Sequence, residues 1–202
     1  MSEKVKLNKN SLREQNQNLK LYLEFLPTLE LRKQQLQTEV RSSLDEINVA
    51  KKDLQTILDG AKSFSAKISG LLQQIKSSLI VEEISVDLVN VAGVKVPQFQ
   101  AVRFRKLPYS LVATPWIFDS AMAFFESAVS KKEQIRVLEE KFSLLDHELT
   151  KTTQRINLYE KVLIPQTRNN IRKIKVYLGD QQTAAVCRAK IAKNKIVKRT
   201  AQ

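Results

Sequence analysis

The sequence predicts a mainly α protein: a long antiparallel, left-handed two-helix coiled coil with a small central β-hairpin region. Three observations carry this. Apolar residues recur every seven positions through both outer parts of the chain, which is the stride of a left-handed supercoil. Helix breakers are scarce, with 4 glycines and 5 prolines in 202 residues, where average usage gives roughly ten or more of each. Aromatic residues make up only 6%. Helices packed along their length are the simplest way for such a chain to bury its apolar surface.

Residues 9–80 read as the N-terminal helix, with Asn10 or Ser11 as its cap before Leu12. Counting by sevens from Leu12 to Ile75 finds nine apolar residues in ten, and the companion positions from Gln15 to Ser78 give seven in ten. The seam here includes Leu54, Ile57, Phe64, Ile68 and Leu71. At about 1.5 Å per residue the helix would extend on the order of 100 Å. Pro27 removes one backbone bond, towards Leu23. The seven-residue phase is the same on both sides of it, so the expectation is one kinked helix.

Residues 81–114 form the central region. From Glu82 to Phe99 the period changes to two, around Ala92-Gly93. Glycine reaches positive φ at no steric cost, so this is a hairpin turn. Pro97 suits an edge strand. Gln100 to Thr114 reads as an extended segment covering the hairpin. An isolated hairpin is marginal in water, so it should pack on the helices or on a partner, with Trp116, Phe124 and Phe125 where the hairpin meets the helices.

Residues 115–196 form the C-terminal helix, started by Thr114-Pro115 as N-cap and first helical residue. A basic tail, residues 197–202, follows. The seam resumes at Ile135 and continues through Phe142, Leu145, Leu149, Ile156, Tyr159 and Leu163. The next position is Ile171, a step of eight, so one extra residue sits beside Pro165. With the middle as the turn, residue i should face roughly residue 200 − i. Pro27 and Pro165 then lie within about two turns of each other.

Catalytic chemistry is not legible. There is no phosphate-binding G-x-x-x-x-G-K-[ST] loop. With one His (His147) and one Cys (Cys187), Cys/His metal spacing is impossible. Glu82-Glu83 and Glu139-Glu140 are adjacent pairs that point to different faces. A lone cysteine excludes an internal disulfide framework and suits a reducing compartment. No apolar run reaches the roughly 20 residues of a membrane span. The charge is uneven: from Glu160 onward there are eleven Lys/Arg and two acidic residues, so this last fifth carries +9 of the net +13. An acidic partner at that end is implied.

Two motifs carry a family resemblance. R-I-N-L-Y-E-K-V-L-I-P-Q-T (residues 155–167) is similar to the R-x-N-A-L-E-x-x-x-I-P pattern of the D subunit of V-type (archaeal-type) ATPases and ATP synthases, at Arg155, Asn157, Glu160, Ile164 and Pro165. Tyr159 stands where that family usually has Leu. N-V-A-G-V-K-V-P resembles its central N-x-x-G-V-x-[IV]-P at Asn90, Gly93 and Pro97. With L-P-T-L at residues 26–29, the chlamydia-like bacterial branch is the nearest match. Leu178 to Val186 departs from the family, which usually has an acidic segment there.

The resemblance implies a non-catalytic central rotor shaft that needs no cofactor. Its partners would be the alternating A and B subunits of the catalytic ring, the small F subunit, and the funnel-shaped subunit above the membrane rotor. It would work in the cytoplasm, peripheral to the membrane and without inserting, and would bind no nucleic acid. Arg188, Lys190, Lys193 and Lys195 would form a basic tip facing the ring. The residues alone leave two rival classes open: a basic coiled-coil arm that binds RNA, and a generic scaffold.

Overall fold

The computed structural model describes residues 5–62, 70, 75, 77–109, 114, 115 and 117–200, with side chains to residue 196. Phe64, Ile68, Leu71 and Trp116 lie outside the described residues. The elements in order are helix α1 (Lys9–Lys62), strands β1 (Leu79–Val91) and β2 (Val94–Lys106), helix α2 (Phe118–Leu158), a π-helical turn (Tyr159–Leu163) and helix α3 (Ile164–Thr200). The chain is mainly helical, with one antiparallel two-stranded hairpin, as the sequence predicts. It divides into two compact units, one of residues 32–151 and one joining residues up to Leu31 with those from Thr152 onward.

In the unit of residues 32–151, α1 and α2 run antiparallel. Glu46 pairs with Lys141 at 3.1 Å, Lys51 with Glu139 at 2.8 Å and Asp53 with Lys131 at 3.1 Å. The register differs from the expected one, because Glu46 faces a residue about a dozen positions short of residue 154. The reason lies in the hairpin. Its strands have equal length on either side of Ala92-Gly93, so the chain reverses symmetrically about the hairpin tip and not about residue 100.

The hairpin lies along the helix pair. At its tip Val96 is buried with Leu36, Val40 and Leu145, and Val91, Ala92 and Val94 close the cluster. At its base Leu79 and Tyr109 pack on Ile75, Phe118, Ala121 and Met122. The lengths match. Thirteen strand residues at about 3.3 Å span about 43 Å, and Phe118 to Leu145 on a helix spans about 40 Å. One helix segment can therefore anchor both ends of the hairpin. Lys106 of β2 also reaches Glu126 of α2 at 2.7 Å.

The hairpin turn joins Val91 to Val94 through two residues, both at positive φ: Ala92 at 50° and Gly93 at 81°. That is a type I′ turn, whose twist matches that of the strands. The strands are longer than the period-two pattern shows. Gln100 to Lys106 is not a covering segment but part of β2, laddered onto Leu79–Ser85. Two register shifts, at Val81/Glu83 and Ser85/Val86, turn the side chains over and hide the alternation.

Two helix starts also differ from expectation. Asn8 is the cap of α1, its Oδ1 accepting the Ser11 N–H at 2.7 Å. Helix α2 begins at Phe118, since the Pro115 carbonyl accepts the Phe118 N–H in a preceding turn.

The other unit brings the start of α1 against the π-turn and α3. The Tyr22 and Tyr159 rings meet edge-on at 5.4 Å, and Asn170 donates to Gln15 at 3.5 Å. Helix α1 passes through Pro27 unbroken. By these two contacts Pro165 faces residues between Gln15 and Tyr22, about two turns from Pro27. Gly179 does not end α3.

Candidate partner-binding surfaces

The seam residues fall in both units. In the first-described unit, Leu145 is fully buried, and Leu54, Ile57, Phe142 and Leu149 are half-buried. In the second, Ile156 is buried and Tyr159 and Leu163 are half-buried. Ser43, Thr152 and Thr167 are buried polar residues on the same faces. Small hydroxyl side chains let helices approach closely, and Thr167 satisfies itself by donating to the Leu163 carbonyl at 2.6 Å.

The motif residues divide by role. Ile164 and Pro97 are buried, while Arg155, Asn157, Glu160, Pro165, Asn90 and Gly93 are exposed. Gly93 is required by its backbone, since an L residue is strained at its φ. Arg32 of α1 lies beside it; a Cβ added to Gly93 would sit 3.5 Å from the guanidinium. The same neighbourhood holds Glu148. Its carboxylate is held below the ordinary value of 4.5, first by the hydrogen bond from Lys151, with Arg32 and His147 adding charge. At the hairpin base, the Tyr109 hydroxyl donates to Asp119, which raises its pKa above 10.0.

Three exposed surfaces stand out among the described residues. The first is the end of α3, where every residue from Gly179 to Ile196 is exposed. It carries Arg188, Lys190, Lys193 and Lys195, with Ile191 between them and Cys187 and Ile196 on either side. The second is the outer side of the hairpin, including Leu88 at 72% exposure, with Val86. The third is apolar and lies at the level of the Tyr22–Tyr159 contact: Leu21 and Phe25 on α1, Leu158 and Val162 on the opposite chain segment. Each pair is spaced by four, off the seam. That was the available signal for this patch, apolar residues beside the seven-residue stripe, and the seam count passed over it. Arg32 and Phe118 carried no such signal.

A shallow groove of about 800 Å³ between α1 and α2 is lined by Asp45, Glu46, Asp53 and Lys131 among others. Two of its carboxylates, Asp53 and Glu46, are paired with Lys131 and Lys141. Among the described residues no group of three His, Cys, Asp or Glu could hold a metal ion, and no helix is long and apolar enough to cross a membrane.

Comparison with known proteins gives the family. The family model of the ATP synthase D subunit matches residues 11–194. The chain belongs to the ATP synthase D-subunit family. It is 34% identical over 196 residues to the V-type ATP synthase D subunit of Borreliella burgdorferi, covering 97% of this chain and 96% of that protein. It is 35% identical over 204 residues to that of Chlamydia pneumoniae, covering 100% and 98%, and 35% identical over 198 residues to that of Chlamydia muridarum, covering 97% and 98%. Membership of the D-subunit family makes the chain a component of a V-type ATPase complex. The match includes the hairpin, the π-turn and most of the exposed end of α3.

Proposed function

We propose that this D subunit is the central shaft of its rotary ATPase, a non-catalytic part that couples ATP hydrolysis or synthesis in the A/B ring to ion movement. The observation that carries the reading is the likeness to V-type D subunits over 97–100% of the chain. The geometry is consistent with it. Helices joined by apolar seams resist twisting, because turning one against the other would pull knobs out of holes. The exposed basic end of α3, with Arg188, Lys190, Lys193 and Lys195, is the surface offered to the ring. The F subunit and the funnel-shaped subunit take other surfaces, and the chain works on the cytoplasmic side without entering the membrane.

Affinity purification of the tagged chain from its native cell tests this. The A, B and F subunits should co-purify at fixed stoichiometry. Replacing the four basic tip residues by Ala should weaken retention of A and B while leaving F bound. Recovery of the intact chain without A and B under gentle conditions would overturn the reading.

A further inference from the structure

We infer that the π-turn Tyr159–Leu163 stores one surplus residue that sets the phase of α3, and that this surplus, not Pro165, puts the α3 stripe against α1. The inference concerns the chain's own seam and stands apart from the shaft reading.

Burial before the turn falls on Leu145, Leu149, Thr152 and Ile156. A seven-residue stride continued from there would next bury Leu163, Gln166, Asn170 and Lys173. Instead Ile164, Thr167, Ile171 and Ile174 are buried, while Gln166 and Lys173 are exposed. Every position has moved by one. The turn between them shows how: the Ile164 N–H bonds to the Tyr159 carbonyl, five residues back. A π-turn is an α-helix with one residue inserted, and the flanking helices keep the phase they would have without it. Pro165 follows directly. In a regular helix its ring would collide with the Lys161 carbonyl, and a widened turn is where that collision is relieved. Pro165 itself is exposed and lies off the buried stripe. It tolerates the turn; the residue count requires it.

This makes an asymmetric prediction. Removing Lys161, which is exposed, together with Pro165→Ala should convert the turn to regular helix and leave the seam paired. Adding one alanine after Lys161 should rotate everything beyond it by about 100°. The readout is crosslinking, by a short bis-maleimide that bridges thiols a few ångströms apart, of a Gln15→Cys/Asn170→Cys pair, whose native side-chain tips meet at 3.5 Å, in the full-length chain with Cys187→Ser. Crosslinking should persist in the deletion variant and in Pro165→Ala alone, and be lost in the insertion variant. A Lys51→Cys/Glu139→Cys pair, at a 2.8 Å ion pair in the other unit, should crosslink in all of them and reports folding. Loss of the Gln15/Asn170 crosslink on deletion as well as insertion, with the control pair intact, would overturn the inference. Its loss in Pro165→Ala alone would assign the phase to the proline instead.

Discussion

Leu144 and Leu145 are adjacent leucines on α2 with opposite surroundings. Leu145 is 0% exposed and packs with Leu36, Val40 and Val96, so it joins both helices to the hairpin. Leu144 is 39% exposed. Truncating Leu145 to Ala removes about three methylene equivalents, worth about 0.8 kcal/mol each on transfer. A cavity walled by two helices and a strand relaxes only in part, which brings the expected loss to about 3–4 kcal/mol. Leu144→Ala keeps the same helix propensity change and should cost under about 1 kcal/mol. Urea unfolding of the full-length chain, followed by circular dichroism at 222 nm, gives both values. Similar losses for the two variants would refute the placement of Leu145 in the cluster shared by both helices and the hairpin.

Gly93→Ala forces an L residue to a φ near 81° and should destabilise by about 1–2 kcal/mol. Its Cβ meets Arg32 at ordinary contact distance, so a much larger loss on urea unfolding would mean that the tip is packed more tightly than described. Glu148 has its pKa lowered by Lys151, Arg32 and His147, so its contribution is present above the unfolded value and lost as pH falls through the folded one. Glu148→Gln should therefore flatten the decline in stability below about pH 4.5 and leave the pH dependence near neutrality unchanged. An acid limb identical to that of the parent chain would show that the carboxylate is not held by those cations.

Much of the fold was legible because coiled-coil packing is written in one dimension. The stride of seven marks which side chains must meet a partner, and scarcity of Gly and Pro leaves no other way to bury them. A one-residue slip in the seam before Ile171 was visible in the same count. The turn at Ala92-Gly93 was readable because φ > 0 selects the residue type. The seam count also located Tyr22 and Tyr159 as companion positions, although only the structure brings their rings together.

Other features needed the folded chain. The register between α1 and α2 depends on where the chain reverses, and no local pattern counts the residues consumed by a hairpin that folds back. The strand ends were hidden because two bulges break the alternation that period-two reading relies on. Arg32 beside Gly93, and Phe118 under Tyr109, join residues from different elements, and each looks ordinary in its own segment.

Sequence by itself determined the helices, the turn and the one-residue slip, because periodicity and backbone sterics act within a few residues. Tertiary structure alone decided the register, the face on which the hairpin lies and the conversion of the surplus residue into a π-turn. Those follow from matching lengths and filling space between segments, quantities that exist only once the segments are side by side.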